Sequence, residues 1–377
     1  MKLLIVNPIL FTFEKYAIPE IRTIKETMIY SFCLGFIANG HQVTLAAATD
    51  YKPVPEETDY DFEVLFFKST LRRLFRPALL PVSFDFFKYL KGNHHKYDLI
   101  VSSEVFSFFT LFTALVCPSK TVIWQEMCYH QRFFKKAPSL LWHRIIVPLF
   151  MRKVQCVIPR SEKARLFIRR YMKNVTPGYV DHGINISRFR FSTTKKRQLI
   201  SSSRLIYRKN VESIIEKYSR LIRIKGYEDV RLLIVGWGEY KRVLDERVKQ
   251  LNLQDNVAFL GFLNQKELND RIKESYAFLI DTRQDLNMVS IPEAIVSGTP
   301  VVTNLVPASA DYIRKEKLGI AKDGWDASDL VEIIENNTFY VDNCINYRDK
   351  LTNTCCAKKI IEYKNVMANL HPPRHPR

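Results

Sequence analysis

Two acidic residues, Asp285 and Glu293, lie eight positions apart in the part of this chain where chemically useful side chains are densest. Residues 280–304 read IDTRQDLNMVSIPEAIVSGTPVVTN. The pattern predicts a buried strand at 276–281, a polar turn, a short helix at 290–298 and a second strand, VVTN. Together these elements form a parallel βαβ unit, and ligands bind in the loops at the carboxyl ends of such strands. We therefore expect both carboxylates to belong to a ligand site.

The segment PEAIVSGTPVV, at 292–302, resembles the second half of the E-x7-E signature of retaining glycosyltransferases of the GT-B fold, family 4 (glycosyl transferases group 1). The first half departs from the signature, because Asp285 replaces the leading glutamate. The turn after it replaces the family's glycine-bearing turn and consists of Asn287, Met288, Val289 and Ser290. The resemblance implies that Glu293 holds the ribose hydroxyls of a nucleotide donor, while Asp285 and the turn residues face the donor sugar. The alternative is that Glu293 pairs with the amides of its own helix start.

A basic pair, Arg204 and Lys209, follows another predicted strand, QLISSS, within SRLIYRKN. Its spacing is similar to the family's G-R-L-x-x-x-K. A nucleoside diphosphate leaving group gains charge as the glycosidic bond breaks, and a guanidinium with an ammonium can neutralise that charge without a metal ion. The resemblance implies that Arg204 and Lys209 are catalytic, with neither metal nor other cofactor. A basic pair after a strand is also common on a solvated surface.

Two further motifs of the same half contribute candidate donor-binding residues. The predicted strand at 231–236 runs into Gly236-Trp237-Gly238, which resembles the family's V-G-x-G, and glycines there let the backbone lie close to a nucleotide. The segment NVAFLGFLN resembles the family's V-x-F-x-G, after which residues flank the base. Phe262 is the candidate at that point.

In the first half of the chain, Glu126 ends the predicted strand TVIWQE. Many family members have a His-Asp pair after this strand, beside the reacting sugar, where this chain has Gln125 and Glu126. Glu126 would then bind the acceptor or accept its proton, and a carboxylate that caps the strand end is the alternative. Ser161 follows the next predicted strand, QCVIP, and is predicted to cap a helix.

Strands and helices alternate along the chain, which predicts an α/β protein. The resemblance implies two Rossmann-like doubly wound domains that face a cleft. We expect an acceptor-binding domain at 1–190 and a domain that binds the nucleotide sugar at 191–352. A helix at 353–370 would cross back onto the first domain, and 371–377 would be a disordered tail.

Composition limits the partners. The 377 residues are 47% hydrophobic, which suffices for two domain cores, and the net charge of +18 calls for an anionic partner. Nucleic acid is not expected, because no stacking or helix-turn-helix motif accompanies the charge. Seven scattered cysteines favour a reducing cytoplasm and argue against a zinc site. The chain start lacks a secretory pattern, and the longest apolar stretch, 105–117, is too short to span a bilayer.

Two basic segments rich in aromatic residues, 68–91 and 133–153, suit an anionic membrane surface. The alternative is that each forms a helix that packs its apolar face on the domain. Asp59-Tyr60-Asp61 is a nominal D-x-D metal motif, but it precedes a strand instead of following one, so we expect no metal there.

We therefore expect a hexosyltransferase that moves a sugar from a UDP- or GDP-sugar to an acceptor hydroxyl, with retention and without metal. The expected acceptor is a lipid-linked glycan of polysaccharide or glycolipid biosynthesis. The expected place is the inner face of the plasma membrane, with the protein peripheral and cytoplasmic. Two alternatives stay open. One is an inactive GT-B scaffold, since Asp285 departs from the family and Arg22-Thr23-Ile24-Lys25 stands where the family usually has a Gly-Gly pair near the start of the first helix. The other is a nucleic-acid-binding protein.

Overall fold

The computed structural model describes residues 1–11, 22–55, 57–131, 133–285 and 288–370. The chain forms two compact units. Unit 1 contains Met1–Ile184 and the chain from Thr352 onward, and unit 2 is Asn185–Leu351. Asn287 and the predicted tail at 371–377 lie outside the described residues.

Unit 1 is built on a six-stranded parallel sheet with the order β3-β2-β1-β4-β5-β6. The strands are β1 Lys2–Val6, β2 Gln42–Ala48, β3 Glu63–Phe67, β4 Leu99–Ser103, β5 Thr121–Gln125 and β6 Cys156–Pro159. In β1, every residue after Lys2 is buried. Such unbroken apolar runs are typical of parallel strands, because helices cover both faces of the sheet.

The helices of this part of unit 1 are α1 Met28–Ala38, α2 Phe84–Asn93, α3 Phe108–Val116, α4 Ala137–Leu141 and α5 Glu162–Ile168. A π-helical segment, Trp142–Met151, continues α4 and contains Pro148. Proline cannot donate the regular helical hydrogen bond, and π-helical turns accommodate such interruptions. Ser161 caps α5, as predicted, because its side chain accepts a hydrogen bond from the amide of Ala164.

Unit 2 repeats the architecture, with the sheet order β12-β11-β10-β7-β8-β9 and all strands parallel. The strands are β7 Lys196–Ser202, β8 Arg231–Val235, β9 Val257–Gly261, β10 Ser275–Leu279, β11 Val301–Thr303 and β12 Gly319–Ala321. The helices are α6 Val211–Leu221, α7 Lys241–Gln250, α8 Gln265–Lys273, α9 Ser290–Val296, α10 Ala310–Lys315, α11 Ala327–Glu335 and α12 Asn337–Tyr347.

The last helix, α13 Asn353–Leu370, returns to unit 1 and packs on α1. The Nδ2 group of Asn353 donates to the carbonyl of Ser31 at 2.7 Å, and a Cβ on Gly35 would lie 2.3 Å from the carbonyl oxygen of Asn353. Only glycine permits this close approach. The two parallel sheets confirm the doubly wound α/β fold predicted from the sequence.

Among the described residues, no helix combines the length and the apolar character needed to cross a bilayer.

In both sheets the strand order reverses once, between β1 and β4 in unit 1 and between β7 and β10 in unit 2. Open α/β sheets bind ligands outside the carboxyl ends of the strands at such a switch point. In unit 2 the loops that leave this point carry the basic pair and the acidic motif found in the sequence.

Candidate functional site

The loops that follow β7 and β10 are tied together by hydrogen bonds. The amide of Arg283 donates to the carbonyl of Arg208 at 2.9 Å, and the hydroxyl of Thr282 donates to the same carbonyl at 3.1 Å. Asn304, after β11, donates in turn to the carbonyl of Thr282 at 2.7 Å. The predicted basic loop and the predicted acidic loop thus form one surface at the switch point of unit 2.

On this surface the Lys209 ammonium forms an ion pair with the Asp285 carboxylate. The two side chains are only 14% and 13% exposed, so each charge compensates the other in a poorly solvated place. The guanidinium of Arg208 adds a second cation, with Nη1 3.6 Å from Asp285 Oδ2. The family resemblance pairs Lys209 with Arg204 and directs Asp285 to the donor sugar. The structure places Asp285 against Lys209 and adds Arg208, which adjoins Lys209 in the sequence and was not among the predicted residues; the roles of Arg204 and Asp285 stay predictions.

Of the turn residues predicted to bind the donor, Met288 is buried, with 6% of its surface exposed, and Val289 is 38% exposed. The side chain of Met288 therefore belongs to the core. Its backbone is the part that a ligand could reach. Asn287 lies outside the described residues and stays a prediction.

Gly236 and Gly238 allow the loop after β8 to run along the loop that carries Arg204. A Cβ on Gly236 would lie 1.9 Å from the carbonyl oxygen of Ser203, and one on Gly238 would lie 2.2 Å from that of Leu205. The amide of Leu205 donates to the carbonyl of Trp237 at 2.8 Å. The structure thus gives the two glycines a packing role, and the nucleotide contact inferred from sequence stays a prediction. They place the backbone around Arg204, which lies partly buried at the carboxyl end of β7.

Two large aromatic side chains are exposed after adjacent strands of unit 2. Trp237 follows β8 and is 58% exposed, and Phe262 follows β9 and is 76% exposed. A flat apolar side chain in this position can stack on a nucleobase. Phe262 was the sequence candidate. Trp237 was missed because it occupied the variable position of the G-x-G motif.

Glu293 lies in the first turn of α9, and burial raises the pKa of its carboxyl to about 7, with the hydrogen bond from Gln265 acting in the opposite direction. The Nε2 group of Gln265, at the start of α8, lies 3.5 Å from Glu293 Oε1. Within the part of the chain that the structure describes, this is the only hydrogen-bond partner of the carboxylate. The alternative in which the carboxylate pairs with amides of its own helix is therefore not what the structure shows.

The short helix that carries Glu293 is held at its end by polar contacts. Gly298 has a φ of +71° and ends α9 as the sequence predicts. The buried Asn269 donates to the hydroxyl of Ser297 at 2.7 Å. Lys195, which directly precedes β7, donates to the carbonyls of Gly298 and Lys273, each at 2.7 Å. These contacts hold the carboxyl end of α9 in place and so fix the position of its first turn.

A second polar cluster lies in unit 1, where β4, β5 and β6 end side by side. Glu126 follows β5, and its Oε2 accepts a hydrogen bond from Nη1 of Arg160 at 2.6 Å. Arg160 follows β6, is 6% exposed and places its guanidinium 4.4 Å from the ring centre of Trp124. Its Nη2 lies 2.9 Å from Nδ1 of the buried His182. Glu126 itself is 34% exposed and is the member of the cluster that solvent or a ligand reaches most easily.

Glu104 supports this cluster from the end of β4. Its Oε1 accepts a hydrogen bond from the amide of Glu126 at 2.7 Å, and its own backbone has a φ of +67°, which is rare for a residue with a side chain. Burial, followed by the nearby charge of Glu126, raises the pKa of Glu104 to about 7. The carboxylate that receives the strand-end amides is therefore Glu104, whereas the sequence analysis had offered that role to Glu126. A polar residue directly after a buried strand is the signal that could have identified both Glu104 and Arg160.

The nominal D-x-D motif has other partners. Asp61 accepts a hydrogen bond from the hydroxyl of Tyr30 at 2.6 Å, and Asp59 pairs with Lys25 at 3.3 Å. Among the described residues, no group of three or more His, Cys, Asp or Glu side chains is placed to hold a metal ion.

Residues 184–338, which are nearly all of unit 2, match the family model of the glycosyl transferases group 1. The alpha-monoglucosyldiacylglycerol synthase of Streptococcus pneumoniae is 25% identical over 198 residues, which are 48% of this chain and 44% of that protein. The chain thus spans less than half the length of this relative.

Two solved structures resemble the whole chain in fold. Anabaena HepE, in complex with UDP, has a TM-score of 0.66 and 16% identity, and the likeness covers 97% of this chain and 100% of that one. Sucrose-phosphate synthase from Thermosynechococcus elongatus has a TM-score of 0.67 and 15% identity over 98% of this chain and 99% of that one. The family region carries the Lys209–Asp285 pair and Glu293, and both units have the doubly wound sheets of these structures. Residues 184–338 therefore resemble the glycosyl transferases group 1, and the chain has the GT-B fold of these solved structures.

Proposed function

We propose that this protein transfers a sugar from a nucleoside diphosphate sugar to an acceptor hydroxyl, with retention of configuration at the anomeric carbon. The observation that carries the proposal is the convergence of Lys209 and Arg208 with Asp285 at the switch point of unit 2, inside the region that matches the family. A diphosphate is the ligand chemistry that such a set of cations suits.

Leaving-group stabilisation accounts for catalysis in this proposal. The bond between the anomeric carbon and the diphosphate oxygen breaks, its electron pair stays on the diphosphate, and the acceptor oxygen forms the new bond on the same face of the sugar. The acceptor proton passes to the departing diphosphate oxygen. Lys209, Arg204 and Arg208 donate to the phosphate oxygens as their charge grows, and each charged hydrogen bond is worth roughly 1.5 to 3 kcal/mol.

Asp285 has a positioning role in this scheme. Its carboxylate holds the Lys209 ammonium in one place while no donor is bound, which lowers the cost of ordering that flexible side chain when the diphosphate arrives. The ammonium has three donors, so it can keep Asp285 and bind a phosphate oxygen at the same time.

The nucleoside half of the donor is assigned to Glu293 and the exposed aromatic residues. An ionised carboxylate accepts hydrogen bonds from two neighbouring hydroxyls, which is the geometry of a ribose. Phe262 and Trp237 would then flank the base. The base is proposed to be uracil or guanine, and the UDP found in HepE supports uracil.

The acceptor is assigned to unit 1, where Glu126 presents a partly exposed carboxylate that Arg160 orients. We propose a lipid-linked glycan or glycolipid as the acceptor, and the name of the pneumococcal relative, a glucosyldiacylglycerol synthase, supports a lipid. The proposed place is the cytoplasmic face of the plasma membrane, because its acidic lipids attract a chain with a net charge of +18.

The proposal is tested first by thermal shift with UDP, GDP, ADP and their sugars, because a ligand that binds only the folded state raises the melting temperature. We expect the nucleotides of one base to raise the melting temperature, and we expect Lys209→Met to reduce that rise. Lys249→Met is the matched control. This exposed lysine lies in the last turn of α7, away from the carboxyl ends of the strands where the candidate site lies.

Turnover of the stabilising sugar nucleotide is then followed by release of nucleoside diphosphate, and the anomeric configuration of the product is read by proton NMR. Inversion would overturn the assignment of retention. Binding without any release, in the presence of lipid acceptors and water alike, would identify an inactive scaffold.

A further inference from the structure

The helix formed by α4 and its π-helical continuation is apolar on both faces. Its inner face, with Trp142, Val147 and Met151, is buried in the core of unit 1. On its outer face large apolar side chains recur every four residues and are exposed: Leu141 (60%), Ile145 (45%) and Leu149 (61%), with Phe150 (43%) beside them. A helix on a protein surface normally shows polar residues to water, so an outer apolar stripe indicates a partner.

The charges on this helix and on the residues that flank it have a single sign. Residues 133–153 contain five lysines and arginines and no aspartate or glutamate. All five bases are exposed, namely Lys135, Lys136, Arg144, Arg152 and Lys153. The apolar stripe therefore lies beside Arg144 and is flanked by two bases before the helix and two after it, which resembles the composition of helices that lie in the headgroup region of an anionic bilayer.

A loop far away in the sequence has the same character. Residues 71–76 read LRRLFR, with Leu71 51% exposed and Leu74 73% exposed. Arg73 and Arg76 are exposed as well, whereas Arg72 pairs with Asp50 at 2.6 Å. The free positive charge of this loop therefore comes mainly from Arg73 and Arg76.

Edge-to-face contacts between aromatic rings join the loop to the helix. The ring centre of Phe75 lies 4.7 Å from that of Phe108, and the ring centre of Phe108 lies 5.0 Å from that of Trp142. The two segments, which the sequence presents as separate, thus lie on either side of one side chain. We call residues 71–76 and 141–153 together the docking surface.

We propose that the docking surface binds an anionic lipid bilayer, with Leu74, Ile145 and Leu149 inserted at the boundary between headgroups and acyl chains and the bases on lipid phosphates. Nucleic acid would pair with the basic side chains of this surface and leave its apolar stripe exposed to water. A bilayer is the partner that takes up both the apolar side chains and the positive charges of the surface. This inference rests on the proposed function and names the membrane in which a lipid acceptor would lie.

Flotation with vesicles tests lipid binding without a donor and without turnover. A negative result would therefore count against the docking surface and would not bear on the proposed sugar transfer. Vesicles of phosphatidylcholine alone are compared with an equal mixture of phosphatidylcholine and phosphatidylglycerol. We expect binding to the mixed vesicles only, decreasing as salt screens the charges. Ile145→Asp combined with Leu149→Asp should weaken binding by about tenfold or more, and so should Arg144→Glu combined with Arg152→Glu.

Matched controls lie on the other side of the unit 1 sheet. Val366 and Lys358 are exposed on α13, which packs with the side chains of Val122 and Trp124, while the helix of the docking surface packs with Ile123. Neighbouring residues of a strand point to opposite faces. Val366→Asp and Lys358→Glu should therefore bind as wild type does. Equal binding to neutral vesicles, no binding to either kind, or an equal loss in the controls would overturn the inference.

Discussion

The Lys209 ammonium and the Asp285 carboxylate form an ion pair across 76 positions of sequence, and this contact joins the loop after β7 to the loop after β10. Both side chains are mostly buried, so neither charge is well solvated without the other. The position of the cation proposed to be catalytic thus depends on Asp285, which stands where the family's acidic motif has its leading glutamate.

Arg204→Ala combined with Lys209→Ala should nearly abolish sugar transfer, because the departing diphosphate loses two donors whose contacts strengthen as its charge grows. Removal of a single donor of this kind costs about a hundredfold or more in turnover. Steady-state release of nucleoside diphosphate measures the effect, and an unchanged circular dichroism spectrum shows that the fold is retained. Turnover within about tenfold of wild type would contradict the assignment.

Glu293→Gln should weaken nucleotide binding and remove part of its pH dependence. The pKa of Glu293 is raised to about 7, so the folded protein without ligand keeps this proton as the pH rises past the ordinary value near 4.5. Ribose hydroxyls donate to the ionised form, so the affinity of the wild type should fall as the pH is lowered below about 7. Calorimetry at about pH 8 and about pH 6 measures both effects. The same slope in wild type and variant would show that Glu293 does not hold the ribose.

The same pKa shift has an effect on stability with a defined sign. Between about 4.5 and about 7, Glu293 is ionised in the unfolded chain and protonated in the folded one, so the free energy of unfolding falls as the pH rises through this window. Glu293→Gln should be more stable than wild type above about pH 7, and the difference should disappear at about pH 4.5. Denaturant titrations across this range provide the measurement.

The Glu126–Arg160 pair predicts an asymmetry between two substitutions. Glu126→Ala removes one of the two partners of the buried guanidinium of Arg160, which keeps its contact with His182, and should cost about 1 to 3 kcal/mol of stability. Glu126→Gln keeps an oxygen acceptor and should cost much less. If Glu126 binds the acceptor, Glu126→Gln should also raise the KM for acceptor while the affinity for nucleotide stays unchanged. A loss of stability with an unchanged KM would leave Glu126 a structural role only.

Transfer should continue in the presence of excess EDTA, because Lys209, Arg204 and Arg208 supply the positive charge that a divalent ion supplies in other transferases. Activity before and after chelation is the measurement. Complete loss on chelation, restored by manganese or magnesium, would require a metal-dependent mechanism and a different role for the basic loop.

Local patterns were sufficient for several features of unit 2. Unbroken apolar runs predicted its parallel strands, and glycine at position 298 predicted the end of α9, where the structure has a φ of +71°. The candidates Lys209, Asp285 and Glu293 were found from their order along the chain. Each of these signals is contained within a few residues, where propensity, capping and periodicity act.

Which side chains touch was decided by strand order and helix packing. Glu104, Glu126 and Arg160 meet because β4, β5 and β6 are neighbours in the sheet, and nothing in their sequence spacing indicates this. Arg208 reaches Asp285 for the same reason, since β7 and β10 lie side by side at the switch point.

The sequence by itself determined the α/β class, the family's motifs and the two basic segments rich in aromatic residues, because each is a property of residues close together in the chain. Only the tertiary structure decided that Lys209 pairs with Asp285, and that Phe75, Phe108 and Trp142 join the two segments into one surface. Such contacts depend on packing between elements distant in sequence. They form where burial of apolar surface and compensation of charge are best satisfied for the whole unit.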